Sequence, residues 1–337
     1  VKIFVTGVAG FLGAHIAREG IARGWVVAGV DSMLGGDASN VPPEVHWRIA
    51  DCNDTENYDY LLRDVDVVYH CAAAPYEGLS VFSPQMVFSN TLMSTVALLR
   101  AAINAKVKRF VFCSSMSRYG DQQAPFTEDM PAKPVDPYAI AKVASENVTR
   151  NLCELHGMEW IIVIPHNIYG PGQRYYDPYR NVAGIMINRV LLGKPPIVYG
   201  TGQQVRSLSY IDDVTGPLLQ LATADVAGEI FNLGPDSEAE ETTIVNLAHR
   251  VRSILGCGRG ELEPLFFPPR PAEVFEAHCS AVKARKVLGY EPTWTLDAGL
   301  AAYVNWVKLR GARPFEYHLP LEIITDKTPR TWSERLM

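Results

Sequence analysis

Six short runs of almost unbroken apolar residues recur through the first half of the chain, with longer connections between them. They are Lys2–Thr6, Trp25–Val30, Val45–Ile49, Val65–His70, Arg109–Ser114 and Trp160–Pro165. A strand that is apolar on both faces must be covered on both faces, which is the situation of a strand inside a parallel sheet. Three of the connections, Phe11–Arg23, Gln85–Ala105 and Tyr138–His156, carry apolar residues at helical spacing. Parallel neighbours require crossovers long enough for such helices. The alternation predicts an α/β fold with a doubly wound parallel sheet.

After Gly170 the texture changes. Pro, Gly and Tyr cluster in Tyr169–Tyr179, and the later segments are shorter and less regular. The expected organisation is a dinucleotide-binding domain over residues 1–170 and a mainly substrate-binding lobe over 171–337. Some later segments, such as Ile230–Leu233, are expected to return to the sheet. At 47% apolar and 20% charged residues the chain has a globular composition. A net charge of −6 gives no reason to expect a nucleic-acid partner. No apolar run is read as reaching the ~18 residues of a membrane span, and no secretory leader pattern is seen. The six cysteines form no CxxC pair and no metal ligand is assigned. They are read as small buried hydrophobes of a cytoplasmic, reducing environment.

The first strand runs into Gly7-Val-Ala-Gly10-Phe11-Leu12-Gly13 and then a helix. Glycines permit a tight turn and close approach of a pyrophosphate, and the helix start offers free N–H groups and a positive dipole end. The second strand ends at Asp31, whose carboxylate can accept from both hydroxyls of an adenosine ribose and would repel a 2′-phosphate. With no Arg or Lys just after it, NAD is expected rather than NADP. Together these features mark a Rossmann-type site, whereas an ordinary glycine turn would not supply the matching acid. Asp51-Cys52 and His70-Cys71-Ala72-Ala73 follow the third and fourth strands, where a ligand in the crevice would lie. His70 is read as a satisfied strand-end residue and not as a catalytic one.

Ser114-Ser115 end the fifth strand, and Tyr138 and Lys142 follow at i, i+4 on one face of a helix. A nearby ammonium and a nicotinamide cation both favour the phenolate of a tyrosine whose ordinary pKa is about 10. Such a phenolate is a general base for a sugar hydroxyl, with Ser115 relaying the proton or holding the oxygen. Alone, Tyr-x-x-x-Lys is a frequent accident; behind a dinucleotide loop it points to catalysis.

These residues resemble the extended short-chain dehydrogenase/reductase family, in particular its nucleotide-sugar epimerases and dehydratases. The resemblance runs from Val1 to about Trp306 and adds Asn90, Asn167-Ile-Tyr-Gly-Pro171, Arg206 before Tyr210-Ile-Asp-Asp213, and Arg270-Pro-Ala-Glu273. It implies that Gly7, Gly10, Phe11, Leu12, Gly13, Asp31, Ala72, Ala73 and Asn90 hold NAD. Asp51 and Cys52 would flank adenine, and Lys142 would also bind the nicotinamide ribose. Asn167 would contact the substrate diphosphate, Arg206 and Arg270 its phosphates and ribose, and Ser115 the sugar. Guanidinium forks suit phosphate oxygens. Ala277, seven residues beyond Arg270, stands where a large tyrosine excludes N-acetyl groups, which implies tolerance of N-acetylhexosamines. The chain departs from the pattern at Ala141, Ile164, Ser207 and Glu273. The family's dimers use two helices per subunit, here Gln85–Ala105 and Tyr138–His156, so a homodimer is expected.

A 4,6-dehydratase needs an acid/base pair beside the catalytic serine, and Met116-Ser117 offer none. The expected reaction is therefore 4-epimerisation of a UDP-hexose or UDP-N-acetylhexosamine through a 4-keto sugar. A dehydratase, a reductase of uncharged carbonyls and a non-catalytic NAD-binding sensor stand as alternatives. The tail from Pro314 to Met337 lies beyond the shared motifs and is read as a packing or interface arm.

Overall fold

A computed structural model of the chain describes residues 1–237 and 240–337. The six apolar runs become strands β1 (Lys2–Thr6), β2 (Val26–Asp31), β3 (His46–Ile49), β4 (Val67–His70), β5 (Arg109–Cys113) and β6 (Glu159–Pro165). A seventh, β7 (Glu229–Leu233), pairs in parallel with β6, so the second half of the chain does return to the sheet. The spatial order is β7-β6-β5-β4-β1-β2-β3, and every neighbouring pair is parallel. The order reverses between β1 and β4, and ligands bind at the carboxyl ends of strands at such a switch point.

Helices α1 (Phe11–Ala22), α2 (Glu77–Ser80), α3 (Pro84–Phe88), α4 (Ser94–Asn104), α5 (Pro137–His156), α6 (Val182–Leu191), α7 (Ile211–Gln220), α8 (Ile244–Ile254), α9 (Val282–Leu288), α10 (Leu296–Arg310) and α11 (Arg330–Ser333) follow. Residues of α1, α7 and α9 such as Ile16, Leu218 and Leu288 cover one face of the sheet. Leu98 and Leu99 of α4 and Cys153 of α5 cover the other. Each fully buried large side chain contributes on the order of 2 kcal/mol. A third core, with Tyr169, Met186, Leu247 and Tyr303, joins α6, α8 and α10 in the second lobe and takes in Phe11 of α1.

Two expectations are corrected. The helix expected over Gln85–Ala105 is interrupted by a π turn at Ser89–Met93, which separates α3 from α4. Such turns occur where an inserted residue turns side chains toward a functional site. The 21-residue stretch Pro84–Asn104 also contains an 18-residue window of mean hydropathy 1.4, long and apolar enough to cross a membrane, contrary to the sequence reading. About 44% of that window is buried, and the stretch packs on α5, so its apolar character is in part that of a core helix. The six cysteines are free.

Candidate active site

At the carboxyl ends of the strands lies a cavity of about 460 Å³. Gly7, Gly10, Phe11, Leu12, Gly13, Asp31, Asp51, Cys52, Ala72, Ala73 and Asn90 line one end, and Ser115, Tyr138, Lys142, Asn167, Arg206 and Arg270 the other. All the residues singled out in the sequence converge on it except Ala277.

The glycine loop fits a dinucleotide. Gly7 has φ +68°, and a β-carbon on Gly13 would lie 2.2 Å from the Gly7 carbonyl oxygen, so only glycine lets α1 start this close to the turn. Gly10 caps α1 without a side-chain hydrogen bond, leaving the first N–H groups of α1 without a side-chain partner. Asp31 accepts the Ala9 N–H at 2.9 Å and the Met33 N–H at 2.7 Å, one on each oxygen. Each oxygen keeps a lone pair for a ribose hydroxyl. Burial raises the Asp31 carboxyl, and these amide contacts oppose the rise. Asn90, in the π turn, donates to the Met86 carbonyl at 2.8 Å while lining the cavity. His70 is fully buried between Thr6 Oγ1 at 2.7 Å and Thr95 Oγ1 at 2.9 Å, as a satisfied strand-end residue should be.

Asp136 caps α5 by accepting the Ala139 N–H at 2.9 Å, and Pro137 occupies the first turn, so Tyr138 is fixed at the helix start beside β5. A hydrogen bond to Ser115 favours ionisation of its phenol. Ser115 Oγ itself accepts from Ser117 Oγ at 2.9 Å. Lys142 is buried, donates to the Cys113 carbonyl at 2.7 Å, and has Nζ 5.9 Å from the Tyr138 ring centre. Burial lowers its ammonium to about 8.

The structure adds further groups around Tyr138. Burial pushes its phenol well above the ordinary value. The hydrogen bond to Ser115 opposes the rise, Glu77 adds to it, and the Arg180 guanidinium opposes it. Burial thus outweighs the favourable contacts, and the Arg180 guanidinium joins the Lys142 ammonium, 5.9 Å from the ring centre, as a cation that favours the phenolate.

The two arginines expected to hold the substrate differ. Arg206 donates to the carbonyls of Val274 at 2.6 Å, Val205 at 2.8 Å and Phe275 at 3.1 Å, so most of its fork serves the fold. Arg270 pairs with Glu273 at 2.8 Å and lies 4.8 Å over the Tyr199 ring, with its buried Nε unpartnered among the described residues. Asn167 has φ +41° and donates to the Ser207 carbonyl at 3.0 Å. Ala277 is fully buried among Phe126, Val274 and Cys279 and does not line the cavity. The inference of N-acetyl tolerance from its small size therefore fails. Ile164 and Ala141, two departures from the family pattern, are likewise core residues.

Three lining residues were missed. Glu77 opens α2, and burial lifts its carboxyl to about 7, with Asp136 adding and Arg206 and Arg270 opposing. Arg180 lies 5.2 Å over Tyr76 and 4.0 Å from Asp177. Asn181 caps α6 at φ +65°, with a buried Nδ2 that has no partner among the described residues. An asparagine ahead of an apolar helical run is the one sequence signal that could have found it. Nothing local marks Glu77 or Arg180.

Residues 3–234 match the profile of the NAD dependent epimerase/dehydratase family. The putative UDP-glucose 4-epimerase of Methanocaldococcus jannaschii is 30% identical over 91% of this chain and 98% of its own length. The crystal structure of UDP-glucose 4-epimerase with UDP-glucose from Thermotoga maritima superposes with a TM-score of 0.86 at 29% identity, covering 92% of this chain and 99% of that one. DesIV, a dTDP-glucose 4,6-dehydratase of Streptomyces venezuelae solved with NAD, gives 0.84 at 28% identity, covering 92% and 97%.

Proposed function

The chain belongs to the NAD dependent epimerase/dehydratase family, and from that premise we propose that it is a sugar-nucleotide 4-epimerase acting on a UDP-hexose. NAD, the family's cofactor, supplies reversible hydride acceptance when held by the Gly7–Gly13 loop and Asp31. Tyr138 takes the proton of the C4 hydroxyl, and Ser115 holds the same oxygen. Lys142, Arg180 and the positive nicotinamide are the charges that offset the burial of the phenol. Arg270 and the start of α6 at Asn181 grip the diphosphate.

One observation carries the choice of reaction. Among the described lining residues, Glu77 is the one carboxylate near Tyr138. Asp31 and Asp51 lie at the cofactor end, and Glu273 is committed to Arg270. Epimerisation at C4 needs no carbon acid/base pair, whereas elimination of water needs both an acid and a base. Glu77 and the similarity to DesIV support the second reading, a 4,6-dehydratase. Incubation with UDP-glucose followed by proton NMR tests both. We expect the C4 epimer; a 4-keto-6-deoxy product supports the dehydratase, and no conversion by a protein that retains NAD supports a binding protein.

We also propose a homodimer through α3, the π turn, α4 and α5, where Met93, Ile140 and Leu155 are 54%, 45% and 72% exposed. Light scattering that finds a monomer at all concentrations overturns it.

A further inference from the structure

The last part of the chain, from Gly311 to Met337, is not a free arm. Its first stretch is tied to the second lobe: Tyr175 donates to the Gly311 carbonyl at 2.7 Å, and Asn188 exchanges two hydrogen bonds with the backbone of Arg313. It then crosses to the dinucleotide-binding half. There the Glu322 carboxylate accepts the N–H groups of Gln85 and Met86 at 2.9 and 2.8 Å, satisfying the start of α3. Ser83 donates to the Pro320 carbonyl at 2.6 Å. The end returns to the second lobe, where Tyr199 and Thr331 share a hydrogen bond and Lys194 reaches the Met337 carbonyl at 3.0 Å. This strap contacts both lobes and lies beyond the last family motif at Arg270–Glu273.

Two of its residues, Trp332 and Met337, line the cavity. Trp332 is 2% exposed and donates its indole N–H to the Pro178 carbonyl at 3.1 Å, so it offers the cavity only apolar surface. It is held by edge contacts with Phe82 and Tyr179 at 6.1 and 5.6 Å. Its outer ring closes on Gly78: a β-carbon there would lie 3.4 Å from Trp332 Cη2 and 3.2 Å from Arg270 Nη1. Gly78 follows Glu77, whose carboxyl acts electrostatically on Tyr138 and also feels Arg270. In a sugar nucleotide, the glycosyl ring is the part that connects the reacting hydroxyl, at Tyr138, to the diphosphate, at Arg270. Trp332 therefore stands beside the path the ring must occupy, in the same buried cluster as Tyr138 and Tyr179.

Resting on the sugar-nucleotide reading, we propose that the C-terminal strap, through Trp332, sets the upper size of the glycosyl group and excludes bulky substituents such as N-acetyl. Discrimination thus resides in a segment outside the family motifs and not at Ala277.

The test compares kcat/KM for UDP-glucose and UDP-N-acetylglucosamine in the full-length protein, in Trp332→Ala and in Trp332→Phe. The phenylalanine variant removes the Cη2 edge but keeps an aromatic ring between Phe82 and Tyr179, so it guards against a failure of the alanine variant to fold. Removing such a wall is expected to raise the N-acetyl to hexose ratio by about tenfold or more in Trp332→Ala, chiefly through KM, and by less in Trp332→Phe. Wild-type turnover with an unchanged ratio in the folded variants overturns the strap's role alone. A wild-type protein that neither converts nor binds UDP or either sugar nucleotide overturns the sugar-nucleotide reading, and the proposal with it.

Discussion

At the cofactor end of the cavity, the Gly7–Gly13 loop and Asp31 come from one strand–helix–strand unit, and most of the work is done by backbone: a turn, a helix start and two amide contacts to a carboxylate. At the substrate end, Glu77, Ser115, Tyr138, Arg180, Arg270 and Trp332 come from six separate segments and act through side chains. The first site is local and sterically stringent. The second is assembled over long sequence distances, and its charges tune one another. A family can keep the first and change its substrate through the second.

The contrast is most sharply tested at Tyr138. Tyr138→Phe removes a side-chain atom at the substrate end, so turnover should fall by roughly 10²- to 10⁴-fold while NAD content is unchanged. Steady-state kinetics and absorbance of NAD released on denaturation check this; loss of NAD with the hydroxyl would blur the division between the ends. Gly13→Ala makes the converse change. Its β-carbon would meet the Gly7 carbonyl oxygen at 2.2 Å, and backbone cannot yield as a flexible side chain does. Overpacking of this kind costs about 1–3 kcal/mol, so both NAD retention and Tm should drop. Wild-type NAD content in that variant would mean that the loop is less stringent than its geometry implies.

The smallest effect concerns charge alone. Above a pH of about 7 the Glu77 carboxyl is ionised, and its negative charge disfavours the Tyr138 phenolate. Glu77→Gln removes that charge, lowers the phenol's pKa and shifts the acid limb of the kcat–pH profile to lower pH. An unmoved limb would show that the two groups are not coupled during turnover. Loss of all activity without a shift would instead point to Glu77 as a reacting acid or base.

The sheet was legible in the chain because buried parallel strands must be apolar on both faces, and that demand is written residue by residue. Strand β2 begins one residue later than its apolar run, where Val26 pairs with Lys2 of β1, and ends on Asp31, which pairs with Ile49 of β3. The π turn at Ser89–Met93 was not legible, since the apolar spacing of its helix continues through the extra residue. Among the site residues, Tyr138 and Lys142 were found because one helical face fixes their relation. Arg206 was found too, but its part in the fold was not, because carbonyls 68 and 69 residues away receive its N–H groups.

By itself, the sequence determined the sheet, the glycine loop, Asp31 and the Tyr-Lys pair, all consequences of period, backbone freedom or spacing within a few turns. Only the tertiary structure decided that Tyr138 is buried with Glu77 and Arg180, that Ala277 belongs to the core, and that Trp332 and Met337 of the final segment line the cavity. Burial, and the electrostatics that follow from it, are set by which distant segments pack together, and no local pattern encodes that.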